Sequence, residues 1–293
     1  MENTVTATWD TIWWTIMVVI SAINLLAAWF FFFRSVKSGI QDRENSKYLL
    51  LLRVLGLIFI SVAMYRTVYV SSYPGRLVWF NTIFNSPFII RCLAACAELS
   101  FIGMIAAILY SLNKEMGLAE NRKNNKLLYF FLSKAPFIAV GSLLLAQFFA
   151  YYGLIKQLFV PFAIEETLWA VAFISIVPLV IEGLKQLKRT NTDGSMKSYK
   201  VFLIIMAIWC GGYGAFQCFY ALPFIHWAHI SQDIKAIIPS NALRTAIFDF
   251  TKSRDFNTWG GIGFIIWHSG YFSLCSWMSL LFMTAPRKRN KIA

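Results

Sequence analysis

Pro87-Phe88-Ile89-Ile90-Arg91-Cys92-Leu93-Ala94-Ala95-Cys96-Ala97-Glu98-Leu99-Ser100 opens an apolar run long enough to cross a bilayer, yet it carries an arginine and a glutamate seven residues apart. Seven residues make nearly two helical turns, so Arg91 and Glu98 point the same way, with Ala94 and Ala95 between them. Charge at membrane depth is costly and normally turns toward protein or water. Small residues let neighbouring helices approach closely. The stretch therefore reads as the central helix of a membrane-embedded bundle.

The rest of the chain agrees in composition. Of its 293 residues 58% are apolar and only 14% charged, whereas a soluble domain carries about a quarter charged residues. The formal charge of +13 lies in short basic tracts between apolar runs. That pattern belongs to membrane orientation and not to a nucleic-acid-binding face, so no nucleic acid is expected as a partner. Cys92, Cys96, Cys210, Cys218 and Cys275 all fall inside apolar segments, which suits packing better than a disulfide framework or a reactive thiolate.

Apolar runs predict seven spans at about 12–33, 49–70, 87–112, 127–152, 161–184, 201–224 and 259–285, in one transmembrane domain covering 1–293. Connectors 71–86 and 225–258 join them on one face. Pro87 suits a helix start, Pro136 predicts a kink, and Gly211-Gly212-Tyr213-Gly214 marks a place where the sixth span is easily bent or closely crossed. The first eleven residues hold two acids and no base, which predicts a retained first helix and no cleaved signal. No internal repeat is visible, which disfavours inverted-repeat transporter folds.

Loops after the first, third and fifth spans, with the carboxyl tail, hold seventeen Lys and Arg residues; the opposite face holds six. The positive-inside rule then predicts the amino end outside and the carboxyl end in the cytoplasm of an integral membrane protein, in the cell membrane. Trp9, Trp13, Trp14, Trp79, Trp227 and Trp259 should lie at the outer interface as an aromatic belt. In the second outer connector, Leu243, Ile247 and Phe250 share a stripe expected of a short amphipathic helix in that interface.

On this topology Arg66, Arg91, Glu165, Glu166 and His226 collect in the outer third. Glu98, Asn24, Gln147, Gln217 and His268 lie nearer the middle, and Lys134 snorkels from the basic side. Each charge also has an ordinary reading: Glu165 and Glu166 as first-turn acids favoured by the helix dipole, Arg66 and Arg91 as snorkelling side chains. Glu98, about 17 Å into its helix, must be protonated, paired with Arg66 or Arg91, or facing a wet cavity. His226 and His229 share helical spacing, but His268 lies about 13 Å deeper. That mismatch argues against a zinc or haem site, and no cofactor is expected.

Seven spans with the amino end outside is the topology of G-protein-coupled receptors and microbial rhodopsins. The last span has no lysine for a retinal Schiff base and no Asn-Pro-x-x-Tyr, and the third lacks Asp-Arg-Tyr at its end. The histidine pattern of seven-helix zinc hydrolases is missing too. The expected function is a channel or carrier for an ion or small solute, with Arg66, Arg91, Glu98, Glu165, Glu166 and His268 along an outward-facing polar cavity, Glu98 as the proton- or ion-responsive group and Arg91 as its partner; an enzyme is the less favoured reading. The alternatives are a receptor or sensor binding a small ligand in the same cavity, and an intramembrane enzyme or haem protein. The lipid bilayer, the solute and a homo-oligomeric or larger membrane assembly complete the expected partners.

Overall fold

Long stretches of apolar residues without a helix breaker must satisfy their backbone internally, and helices do this within one segment. In the computed structural model, which describes residues 8–37, 43–73, 75–190, 197–233 and 240–284, six helices are long and apolar enough to cross a membrane. They are α1 (Trp9–Lys37), α2 (Arg43–Val68), α3 (Pro87–Met116), α4 (Lys126–Lys156), α5 (Phe159–Thr190) and α6 (Lys197–Phe216) with its continuation. The long elements are all-α, and their length and apolarity point to an integral membrane protein. Leu26, Phe148, Ile208 and Phe219 stand exposed on them, a surface that fits lipid.

The last long helix, α9 (Gly261–Phe282), packs on α1, α2 and α3. It carries His268, Ser269, Ser273, Ser276 and Ser279 among apolar residues and no Asp, Glu, Lys or Arg, and it is not one of the six helices above. Two short helices precede it, α7 (Ile230–Asp233) and α8 (Ala242–Phe248).

Most helices run beyond the apolar segment that predicts them, because capping and not apolarity ends a helix. α3 starts on Pro87 and stops at Gly117, whose left-handed φ of 61° turns the chain while its N–H bonds the Asn113 carbonyl. The Asn125 side chain accepts the Leu128 N–H to start α4, and Gln157 ends that helix in the left-handed region. Both α4 and α5 continue past their internal prolines, Pro136 and Pro178.

The Gly211–Gly214 stretch lies within regular helix; the departure comes later, at Gln217–His226, where α6 widens into a ten-residue π-helix containing Pro223. Proline offers no N–H and crowds the carbonyl four residues back. Lengthening the hydrogen-bond step to i+5 accommodates it.

α3 is the hub, packing on α2, α4, α5 and α9, with Ile102, Met104, Ile105 and Ile108 wholly buried. α6 packs chiefly on α5. At their contact a Cβ on Gly183 would fall 2.9 Å from Leu203 Cδ1 and 3.2 Å from Leu112 Cδ2, so glycine sets the approach.

A cap closes one end of the bundle. Its strands are β1 (Ser71–Ser72), antiparallel to β2 (Leu77–Val78), which runs parallel to β3 (Thr251–Lys252). Asn85 ties the first connector down, its Nδ2 donating to the Val70 carbonyl at 2.6 Å while its Oδ1 accepts from Phe80 N–H at 2.8 Å.

One sequence expectation changes here, and another gains a detail. The face of α8 that is buried holds Ala242 and Ala246, against α3 and α4, while Leu243 is exposed; small residues let the short helix settle closely on the helix ends. Trp13, Trp79 and Trp259 are buried, not part of an interfacial belt, because the connectors fold over them. Trp13 meets Phe256 edge-on at 5.3 Å and Trp79 lies 6.2 Å from Trp259.

Candidate functional site

Beneath the cap, five elements each turn a polar side chain inward. Arg66 comes from the last turn of α2, Arg91 and Glu98 from the face of α3 anticipated by their spacing, Gln147 from α4, Glu165 and Glu166 from α5, and Gln217 from the first residue of the π-helix. All but Glu166 are counted among the buried polar residues.

Arg91 is the centre. Its Nη1 donates to Glu165 Oε1 at 2.9 Å and its Nη2 to Glu98 Oε2 at 2.7 Å, with a further bond from Nη2 to Gln147 Oε1. Gln147 Nε2 then donates to Glu98 Oε2 at 3.1 Å and to the Leu143 carbonyl at 3.1 Å. Arg66 Nη1 lies 3.9 Å from Glu98 Oε1. Glu98 therefore sits between two guanidinium groups. Such pairs form only where geometry compensates the cost of desolvation, and loss of one partner leaves a buried charge uncompensated.

Aromatic rings close the site. The Arg66 Cζ lies 5.0 Å from the Phe272 ring centroid and 5.8 Å from that of Tyr73; Arg91 Cζ lies 5.5 Å from the same tyrosine. Tyr73 belongs to the cap, and its buried hydroxyl has no hydrogen-bond partner among the described residues. Burial pushes that phenol's pKa up, outweighing the two arginines.

Glu166 forms a separate branch. Gln217 Nε2 donates both to Glu166 Oε2 and, at 2.6 Å, to the Tyr213 hydroxyl. No arginine or lysine pairs with Glu166 among the described residues. The network thus holds two arginines against three carboxyls.

The structure brings Arg66, Arg91, Glu98 and Glu165 into one contact and sets Glu166 beside them. Neither arginine snorkels; both are buried, Arg91 to 2% exposure. Glu165 is not a first-turn acid, since α5 starts at Phe159 and buries it in the second turn. His268 lies to one side in an aromatic setting, 5.1 Å from Trp13 and 4.5 Å from Phe272, with Nδ1 unpartnered among the described residues. His226 ends the π-helix and His229 follows, bonded to Gln232. Among the described residues no three His, Cys, Asp or Glu side chains gather as metal ligands.

Gln147 and Gln217, near the middle of the bundle by their positions in the sequence, join the site as well. Gln147, alone among apolar neighbours in α4, was the available signal. Tyr73 had none, since only the folding of the connector brings it to the arginines.

A recess of about 30 Å³, room for roughly one water, is lined by Tyr73, Arg76, Gly153, Gln157 and Phe162 among others. Tyr73 therefore touches the recess on one side and the guanidinium groups on the other. Arg76 Nη1 donates to the Thr245 carbonyl at 2.8 Å and Nη2 to that of Leu154 at 3.3 Å, while Asp249 stands 3.8 Å away. That arginine staples the first connector to α4 and α8.

No protein-family model matches this chain, and no curated protein and no solved structure matches it either.

Proposed function

We propose that the chain is a membrane transport protein for an ion or small solute, using the site under the cap, with the amino end outside and α9 as a seventh span. The 22 residues of α9 reach about 33 Å at helical rise, and its outward Ile262, Ile266 and Leu274 suit lipid. Seventeen basic residues against six support the orientation.

The carrying observation is the unequal charge of the buried network, two arginines for three carboxyls. A purely structural clamp needs no surplus carboxyl, and apolar packing would hold the helices at less cost. In a dry site the surplus favours uptake of a proton or a cation. Arg91 and Arg66 hold Glu98 and Glu165, so the responsive group in this reading is Glu166, on the π-helix branch. π-Helical turns recur at functional sites.

The test is flux or current in proteoliposomes over a pH series. Wild-type protein should transport with a pH response that Glu166→Gln abolishes and that changes in Glu98→Gln. No flux, or the same pH response in both variants as in the wild type, removes the reading. A receptor or sensor using the same site is the second reading, favoured by the Arg76 bonds that hold the cap over the arginines.

A further inference from the structure

We propose that a recess at the end of the bundle opposite the cap binds a phosphate group, either of an acidic lipid headgroup or of a soluble phosphate compound. The recess measures about 190 Å³ and is lined by Leu118, Asn121, Arg122, Glu182, Gln186 and Arg189. It lies between the α3–α4 connector and the last two turns of α5. The volume is several times that of one water and below the range of drug-sized ligand sites, which suits a compact headgroup.

Its electrostatics are set by Glu182. Arg122 donates to Glu182 Oε2 through Nε at 3.0 Å and Nη2 at 2.7 Å, and Lys185 Nζ reaches Oε1 at 2.9 Å. Both carboxylate oxygens are thus occupied by cations, and the carboxylate fixes the Arg122 fork at the recess wall. Arg189, also on the wall, has no ion pair among the described residues. Glu182 is thus shared by Arg122 and Lys185, while Arg189 lines the same recess. The amide side chain of Asn121 lines it too. Planar guanidinium groups match phosphate oxygens, and basic pockets between helices at the membrane surface take up acidic headgroups. The site is remote from the Arg91 network and stands whether or not the transport reading does.

Binding of short-chain phosphatidylglycerol and of inorganic phosphate to the full chain in neutral detergent, read by native mass spectrometry, tests the assignment. Arg189→Gln should weaken binding about tenfold, the loss of one charge-assisted contact. Lys188→Gln, on the same turn but outside the recess, should leave it unchanged. Binding of the lipid alone assigns the site to a headgroup; equal binding of inorganic phosphate assigns it to a soluble compound. Equal losses in the two variants would mean a diffuse basic surface, and that result, or no binding of either probe, overturns the proposal.

Discussion

Arg91 and Glu165 stand 74 positions apart in the chain and meet at 2.9 Å in the interior. The contact joins α3 to α5, and the other nitrogen of the same guanidinium holds Glu98 and Gln147. One side chain therefore ties three helices, α3, α4 and α5, at the level of the site.

Removing that centre should be costly. Arg91→Leu leaves Glu165 without its cation and Gln147 without its donor, and is expected to destabilise the fold by about 3–5 kcal/mol, read from thermal unfolding in detergent. Glu165→Gln should cost less, because an amide still accepts from Nη1. In a double-mutant cycle the pair should show a coupling of roughly 1–3 kcal/mol. Additive effects would mean that the contact contributes nothing.

Tyr73 should behave in the opposite way. Among the described residues the buried Tyr73 hydroxyl has no partner, and a hydroxyl that gives up its hydration for no bond is a net cost, so Tyr73→Phe should stabilise the protein by about 1 kcal/mol. Burial raises the pKa of this phenol in the folded state. Its contribution is thus fully present below the unfolded value near pH 10 and lost as pH rises beyond it. Tyr73→Phe should make the alkaline limb of stability against pH shallower. If solute passes through the recess above it, flux should fall even as the melting temperature rises.

Arg76 holds the cap through the Thr245 and Leu154 carbonyls. Arg76→Ala strands both acceptors and should cost about 1–3 kcal/mol. Hydrogen exchange followed by mass spectrometry should show faster labelling over 242–252, with α3 unchanged. Unaltered protection there would mean that the aromatic cluster alone retains the cap.

Gly183 sets the spacing of α5 and α6. Gly183→Val places atoms against Leu203, which is fully buried, and should cost roughly 1–3 kcal/mol. Leu203→Ala in the same chain should recover part of the loss, since it removes the atoms in conflict. The melting temperatures of the two single variants and the double variant decide this.

Several parts of the fold are legible without coordinates because they depend on local chemistry. Runs of twenty or more apolar residues specify membrane-length helices, since no other structure satisfies their backbone in lipid. A seven-residue interval places Arg91 and Glu98 on one face, because helical period is independent of context. The helix ends were read short at Lys37, Met116 and Thr190, where polar residues continue the helix beyond the apolar segment. In 240–250 the large residues mark one stripe, and close packing on α3 and α4 uses another face, that of Ala242 and Ala246, which has no apolar bulk to announce it.

By itself, then, the sequence determined that long helices form, that Arg91 and Glu98 share a side, and that charge gathers toward one end of the bundle. Tertiary structure decided which charges meet. Arg91 takes Glu165 as well as Glu98, Gln147 completes the contact, Glu166 turns to Gln217 instead, and Tyr73 from a connector closes over the arginines. The reason is physical: helical period fixes the direction of a side chain about its own axis, but pairing inside a low-dielectric interior depends on how neighbouring helices are rotated and at what depth they cross. Those quantities are set by packing between residues far apart in the chain, such as Gly183 against Leu203.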